Sequence, residues 1–163
     1  MKTAVSTVPQ KKEPCRKKKI MVVDDEHLIR SMLTCVLEGE GFEVIAAENL
    51  ANAEAHLLSD FFDLVVTDIM LSGAHLKEGL MLARNIQSNW PETRVIVMTG
   101  CGIEEMHREA LQCGALWFCE KPFDIVVFAE RAKDLLQNTD GRHKGGQLSP
   151  DIIASVTGCT SVM

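Results

Sequence analysis

No stretch of this chain is apolar for long enough to cross a bilayer, and no basic segment leading into an apolar core opens it. Both absences point to a cytoplasmic protein. The six cysteines, at positions 15, 35, 101, 113, 119 and 159, include no C-x-x-C pair and no zinc-like spacing. Several fall inside expected strands or helices, so small buried thiols in a reducing compartment are the expectation. A C-terminal prenylation box is lacking, because Cys159 stands one position too far from the end. There is also no internal repeat, and no Gly- or Ser/Thr-rich loop of the phosphate-cradling kind after the first apolar run.

What is there is an ordinary globular composition. The chain has 163 residues, 46% of them hydrophobic and 25% charged, which suits one domain with its own core plus tails. Its net charge of −6 conceals an asymmetry. Residues 1–19 carry seven Lys/Arg against Glu13, a balance of +6, and residues 140–163 set Arg142 and Lys144 against Asp140 and Asp151. The body between them therefore holds −12. An acidic body is a poor match for a phosphate backbone, so no specific nucleic acid is expected as a partner. The basic arm Lys11-Lys-Glu-Pro-Cys-Arg-Lys-Lys-Lys19 could touch nucleic acid or anionic lipid, but a solvated tail is the plainer reading.

Strand-like runs near 19–24, 43–47, 62–67, 94–98 and 115–119 alternate with helical patterns. A first helix is expected over about 26–40, with Ile29, Met32, Leu33, Val36 and Leu37 on one stripe. A second is expected over about 50–59, with Ala53, Leu57 and Leu58 inward. The third, about 79–89 (Leu80, Leu82, Ala83, Ile86), stops before Pro91, and the fourth, about 103–113, ends at Gly114. The fifth begins near Phe123, with Ile125, Phe128, Ala129, Ala132, Leu135 and Leu136 facing inward. Five strands alternating with five helices predict an α/β fold: a doubly wound parallel sheet with right-handed crossovers and helices on both faces. The segment after Asn138 reads as linker, and Ser149-Pro150 opens at most a short helix to about Val156.

Four stretches end in groups able to handle a phosphoryl group: Met21-Val-Val-Asp-Asp-Glu26, Leu64-Val-Val-Thr-Asp68, Val95-Ile-Val-Met-Thr99 and Leu116-Trp-Phe-Cys-Glu-Lys-Pro-Phe123. In the first three, a continuous apolar run stops at a polar residue. A parallel strand buried on both faces reads this way when it delivers a side chain to the carboxyl edge of its sheet. Ligands of such sheets sit at that edge, where the strand order reverses. One edge would then carry Asp24, Asp25, Asp68, Thr99 and Lys121.

Most of these residues have a structural alternative. Asp24-Asp25-Glu26 could be an acidic first turn for the first helix, with Glu26 serving the helix dipole. Thr99-Gly100 could be a strand end and turn, and Lys121 a surface lysine beside Glu120. Asp68, after Leu-Val-Val-Thr, has no comfortable structural role, because a lone buried carboxylate is expensive. That residue lifts the others.

Through Asp24-Asp25 after strand one, Asp68 after strand three, Thr99 after strand four and Lys121-Pro122 after strand five, the chain from about Lys17 to Asn138 resembles the receiver domain of two-component response regulators. The resemblance implies a five-stranded flavodoxin-like sheet of order 2-1-3-4-5 over residues 17–139. A disordered basic arm (1–16) and a linker with a short tail (140–163) would flank it, with no output domain. It implies that Asp68 accepts a phosphoryl group from the phosphohistidine of a sensor histidine kinase or a histidine phosphotransfer protein. Asp25 and Asp68 would ligate Mg²⁺ directly, Asp24 would do so through water, and the Met70 backbone carbonyl would complete the set. Clustered carboxylates need a cation, and a hard, oxygen-ligated one fits. Lys121 and Thr99 would each bind a phosphoryl oxygen. Pro122, after a cis bond, would hold the lysine's turn.

By the same resemblance, phosphorylation draws Thr99 inward and Phe118 rotates into the vacated space. The face of the fourth helix, fifth strand and fifth helix would then change its affinity for an output protein, or for a second copy in a phosphorylation-dependent homodimer. Ile125-Val-Val-Phe128 is more apolar than one core stripe needs, which makes Val126 or Val127 a candidate docking patch. Met70 and Cys101, two positions beyond Asp68 and Thr99, match residues that tune hydrolysis of the phosphoryl group. Neither orients water well, so slow dephosphorylation is expected. The chain departs from the family pattern after Asp68. Ser72 replaces the usual proline and Gly79 comes about three residues late, so Leu71-Ser-Gly-Ala-His-Leu-Lys-Glu78 reads as a lengthened loop with His75 facing solvent.

The reading is a single-domain response regulator, a regulatory phosphoacceptor rather than an enzyme. A first alternative is the receiver portion of a truncated transcriptional regulator, which a longer reading frame would support. A second is an aspartyl-nucleophile phosphatase. Such enzymes place the nucleophile at strand one with another Asp two positions later, whereas Asp24-Asp25-Glu26-His27 does not fit and Asp68 would be left unexplained. A flavodoxin-like cofactor binder is weaker, for want of the phosphate loop.

Overall fold

Five short runs rich in valine and isoleucine form one sheet in the computed structural model, which describes residues 16–72, 77–100 and 104–137. They are β1 (Lys19–Val23), β2 (Glu43–Ala47), β3 (Leu64–Asp68), β4 (Arg94–Thr99) and β5 (Trp117–Glu120). All four neighbouring pairs are parallel, in the order β2-β1-β3-β4-β5. The helices between them are α1 (His27–Gly39), α2 (Leu50–Ser59), α3 (Glu78–Asn89), α4 (Glu104–Gln112) and α5 (Ile125–Gln137). This is the flavodoxin-like α/β fold expected from the sequence.

Alternation along each strand sorts the core into two layers. Ile20, Val22, Leu64, Val66, Ile96 and Met98 pack on Leu33 and Leu37 of α1 and on Phe128, Ala129, Ala132 and Leu136 of α5. Met21, Val23, Val65, Val95 and Val97 pack on α2, α3 and α4. Two of the helix starts are chemically specified. Asn49 accepts the Asn52 N–H (2.9 Å), and Asp124 accepts the N–H groups of Val126 (2.8 Å) and Val127 (3.1 Å). The second cap explains why α5 begins at Ile125 rather than Phe123. Gly41 after α1 and Gly114 after α4 adopt positive φ (92° and 83°), as helix-terminating glycines do.

Two residues expected inward point out: Met32 of α1 and Leu58 of α2 are exposed. Each buried stripe is one position narrower than the periodicity predicts, because the faces led by Leu33 and Leu37, and by Ala53 and Leu57, already cover the sheet. The thiols divide as well. Cys113 and Cys119 are buried, and burial pushes the Cys119 pKa up to about 12, whereas Cys35 lies exposed on α1.

The described end of the basic arm is tied to the sheet by ion pairs, although Arg16 and Lys17 stay exposed. Asp63, nearly buried at the amino edge of the sheet, accepts from Arg16 (3.0 Å), Lys18 (3.0 Å) and the Lys19 N–H (2.8 Å). Burial alone would raise its pKa; the Lys19 N–H and the charges of Lys18 and Arg16 outweigh that and hold it below the usual carboxylate value. Lys19 pairs with Asp60 and Glu43, and the Arg16 guanidinium lies 4.9 Å from the Phe61 ring centroid.

Candidate functional site

The strand order reverses between β1 and β3, which opens a crevice at their carboxyl ends. Asp24 follows β1 and Asp68 closes β3, so both carboxylates enter that crevice; Asp24 is 0% exposed and Asp68 8%. Asp25 is exposed beside them. Ligand oxygens of Asp24, Asp25 and Asp68 all lie within 4.8 Å of one another. The loop carrying the acidic pair is braced by Arg30, which donates to the carbonyl oxygens of Asp24 (2.6 Å) and Asp25 (2.9 Å).

From the other side, Lys121 is delivered by the end of β5. Its N–H donates to the Thr99 carbonyl (2.7 Å), which ties β5 to the end of β4, and the Lys121–Pro122 peptide bond is cis. The Lys121 ammonium lies 2.7 Å from Asp24, 2.8 Å from Asp68 and 3.4 Å from Glu26. Its side chain is largely buried, so it is no surface lysine. Burial works against the ammonium, but the hydrogen bonds and charges of Asp24 and Asp68 outweigh it and raise the Lys121 pKa. For Asp24, burial dominates and its pKa is raised, with the Asp68 charge adding to the effect. A cleft of about 190 Å³ lies over these groups, lined by Glu26, Asp68, Met70, Thr99, Gly100 and Lys121. The Met70 N–H lies 3.4 Å from Asp68 Oδ1.

The structure therefore brings together Asp24, Asp25, Asp68, Met70, Thr99 and Lys121. Phe118 is half-buried on β5, stacked on His107 of α4 with ring centroids 4.7 Å apart. Val126 and Val127 are both 58% exposed on the first turn of α5. Cys101 and His75 lie outside the described residues, as do residues 1–15 and 138–163.

Glu26 departs from expectation. It occupies the position before α1 yet makes no capping bond with its side chain; its N–H is taken by Asp24 Oδ1 (2.9 Å) and its carboxylate turns to Lys121. In the sequence Gly79 stands out only by its spacing from Asp68. Its N–H donates to the Ile69 carbonyl (3.0 Å), and α3 starts hard against the backbone of Asp68. Lys77, just before α3, holds Glu109 of α4 through both carboxylate oxygens (2.7 Å each).

A model of the response regulator receiver domain matches residues 20–133, more than half of the chain. The chain belongs to that family. The receiver is 36% identical over 121 residues to the nitrogen assimilation regulatory protein NtrX of Azorhizobium caulinodans, covering 72% of this chain and 26% of that one. It is 32% identical over 118 residues to the sporulation initiation phosphotransferase F of Bacillus subtilis, covering 72% of this chain and 93% of that one. Among solved structures, the receiver domain of NtrX from Brucella abortus matches with a TM-score of 0.67 and 35% identity, over 74% of this chain and 99% of that one. The chain spans between 26% and 54% of the first curated relatives it matches. Receiver domains are regulatory phosphoacceptors that work with histidine kinases or phosphotransfer proteins, and they bind a divalent metal in an acidic pocket. Here that pocket is formed by Asp24, Asp25 and Asp68. Among the described residues no helix is long and apolar enough to cross a membrane.

Proposed function

We propose that this chain is a cytoplasmic response regulator whose receiver spans residues 17–139 and accepts a phosphoryl group on Asp68. The observation that carries the reading is the Lys121 ammonium, within hydrogen-bond distance of both Asp24 and Asp68 at the floor of the cleft. A carboxylate oxygen of Asp68 attacks phosphorus as the P–N bond to a partner's imidazole breaks. The electron pair stays with the imidazole, which leaves neutral when its other ring nitrogen carries a proton. Lys121 then donates a remaining N–H to a phosphoryl oxygen, and the Thr99 hydroxyl serves another. Asp24, Asp25, Asp68 and the Met70 carbonyl would hold Mg²⁺; the tight carboxylate cluster and the burial that raises the Asp24 pKa suit a hard cation. When bound, the ion supplies positive charge against the transferring oxygens.

Thr99, buried at the end of β4, and Phe118 on the neighbouring β5 form the switch in this reading, and the α4-β5-α5 face, with Val126 and Val127 exposed, receives the output protein or a second copy. The lengths of the relatives favour a second reading, in which the receiver works within a longer regulator; a longer native reading frame would select it. The first test is incubation with Mg²⁺ and acetyl phosphate, followed by intact mass. One added phosphoryl group is expected, absent without metal and absent in Asp68→Ala. Phosphorylation that survives Asp68→Ala overturns the assignment.

A further inference from the structure

We propose that Glu26 is a specificity-determining residue, a carboxylate at the mouth of the cleft that discriminates among phosphodonors by their net charge. The inference rests on Asp68 being the acceptor. Glu26 is bound to the site at its backbone, through the 2.9 Å bond to Asp24 Oδ1, while its side chain stays 62% exposed and caps nothing. An ammonium has three N–H donors. On Lys121, Asp24 at 2.7 Å and Asp68 at 2.8 Å account for two, and the nearest remaining carboxylate is Glu26 at 3.4 Å. An arriving phosphoryl oxygen must therefore take the position toward Lys121 that Glu26 now faces.

Glu26 also stands at a boundary. It lines the polar cleft with Asp68 and Thr99, and it lines the adjoining groove of about 420 Å³ formed by Ile29, Met32, Pro122 and Phe123. A donor must bring its phosphoryl group past this negative charge. A small dianion meets the repulsion without any apolar contact on the groove to offset it. A donor whose bulk rests on the apolar groove gains contact there that offsets the same repulsion. Glu26 thus disfavours small, highly charged donors, and the groove beside it lessens that penalty for a donor with an apolar body.

The test compares Glu26→Gln and Glu26→Lys with the unaltered chain, using two small donors: dianionic acetyl phosphate and monoanionic phosphoramidate. Saturating Mg²⁺ is set by titrating the phosphorylation rate of each variant with the metal, and rates are read by intact mass. Removing the charge should raise the acetyl phosphate rate about three- to tenfold at low salt and the phosphoramidate rate by less, with Glu26→Lys extending the trend. The gain should shrink as ionic strength rises. Equal changes for both donors, no change, or a gain insensitive to salt overturns the role of Glu26. If neither donor modifies the unaltered chain, it is the Asp68 reading that fails, and the two failures are distinguishable.

Discussion

Replacing Gly79 with alanine sets a methyl group against backbone that has nowhere to go. The added Cβ would fall far inside contact of the Asp68 carbonyl oxygen, 2.7 Å from its carbonyl carbon and 2.9 Å from Ile69 Cα. Carbon atoms pack at about 3.5–4.0 Å, so α3 and the end of β3 must part by roughly 1 Å. Neither side yields freely. Gly79 is tied to the Ile69 carbonyl, Ile69 donates to the Met98 carbonyl (2.9 Å), and Leu80, Leu82, Ala83 and Ile86 bury the helix. Overpacking against fixed backbone costs about 3 kcal/mol, which lowers the melting temperature by roughly 10–20 °C in a domain of this size. The displaced end of β3 carries Asp68, and a 1 Å misplacement of a reacting group lowers a rate by about 10²-fold. Thermal unfolding reads the first effect. Phosphorylation by acetyl phosphate with Mg²⁺, at a temperature where the variant is folded, reads the second. Gly39→Ala is the control: nothing lies within 4 Å of its Cβ, and a gain of about 0.5–1 kcal/mol is expected at this helical position. Gly79→Ala unfolding within about 0.5 kcal/mol of the unaltered chain, with an unchanged phosphorylation rate, would refute the reasoning.

Lys121→Met leaves the Asp24 and Asp68 carboxylates without their ammonium and should cost about 3 kcal/mol in the absence of metal; Mg²⁺ should then raise the variant's melting temperature more than the unaltered chain's, and equal melting temperatures without metal would contradict this. Asp63→Asn should lose about 1–3 kcal/mol at neutral pH, read by urea unfolding. Because the folded pKa of Asp63 lies below its unfolded value, the advantage is complete above the ordinary carboxylate pKa and is lost as pH falls through the folded value. The gap between the two proteins should therefore close below about pH 4, and a gap independent of pH would sink the assignment. Met70→Asn with Cys101→Glu should speed loss of the phosphoryl group from the phosphorylated protein, measured as decay of the phosphorylated mass; an unchanged decay rate rules out their tuning role.

Strand ends were legible because a strand buried on both faces has one chemical signature, an unbroken apolar run stopped by a polar residue. Leu64-Val-Val-Thr-Asp68 and Val95-Ile-Val-Met-Thr99 carry it plainly, and both end at the crevice. β5 is only four residues long and paired on one side, so it starts two residues later than its apolar run suggests, and Asp124 rather than composition settles where α5 begins. Stripe width was also illegible. Whether Met32 or Leu58 turns inward depends on how far each helix rolls on the sheet, which local periodicity does not contain.

Local order along the chain was thus enough to determine which residue types arrive at the carboxyl edge: two adjacent aspartates, a third, a threonine and a lysine. Their partnership was decided in three dimensions. One ammonium is shared by Asp24 and Asp68 across sequence separations of 97 and 53 residues, the Glu26 carboxylate turns from the start of α1 to face it, and Gly79 meets the backbone of Asp68. Each of these depends on distances of a few ångströms between elements far apart in the chain. Such distances follow from the packing of the helices on the sheet, and no run of neighbouring residues encodes them.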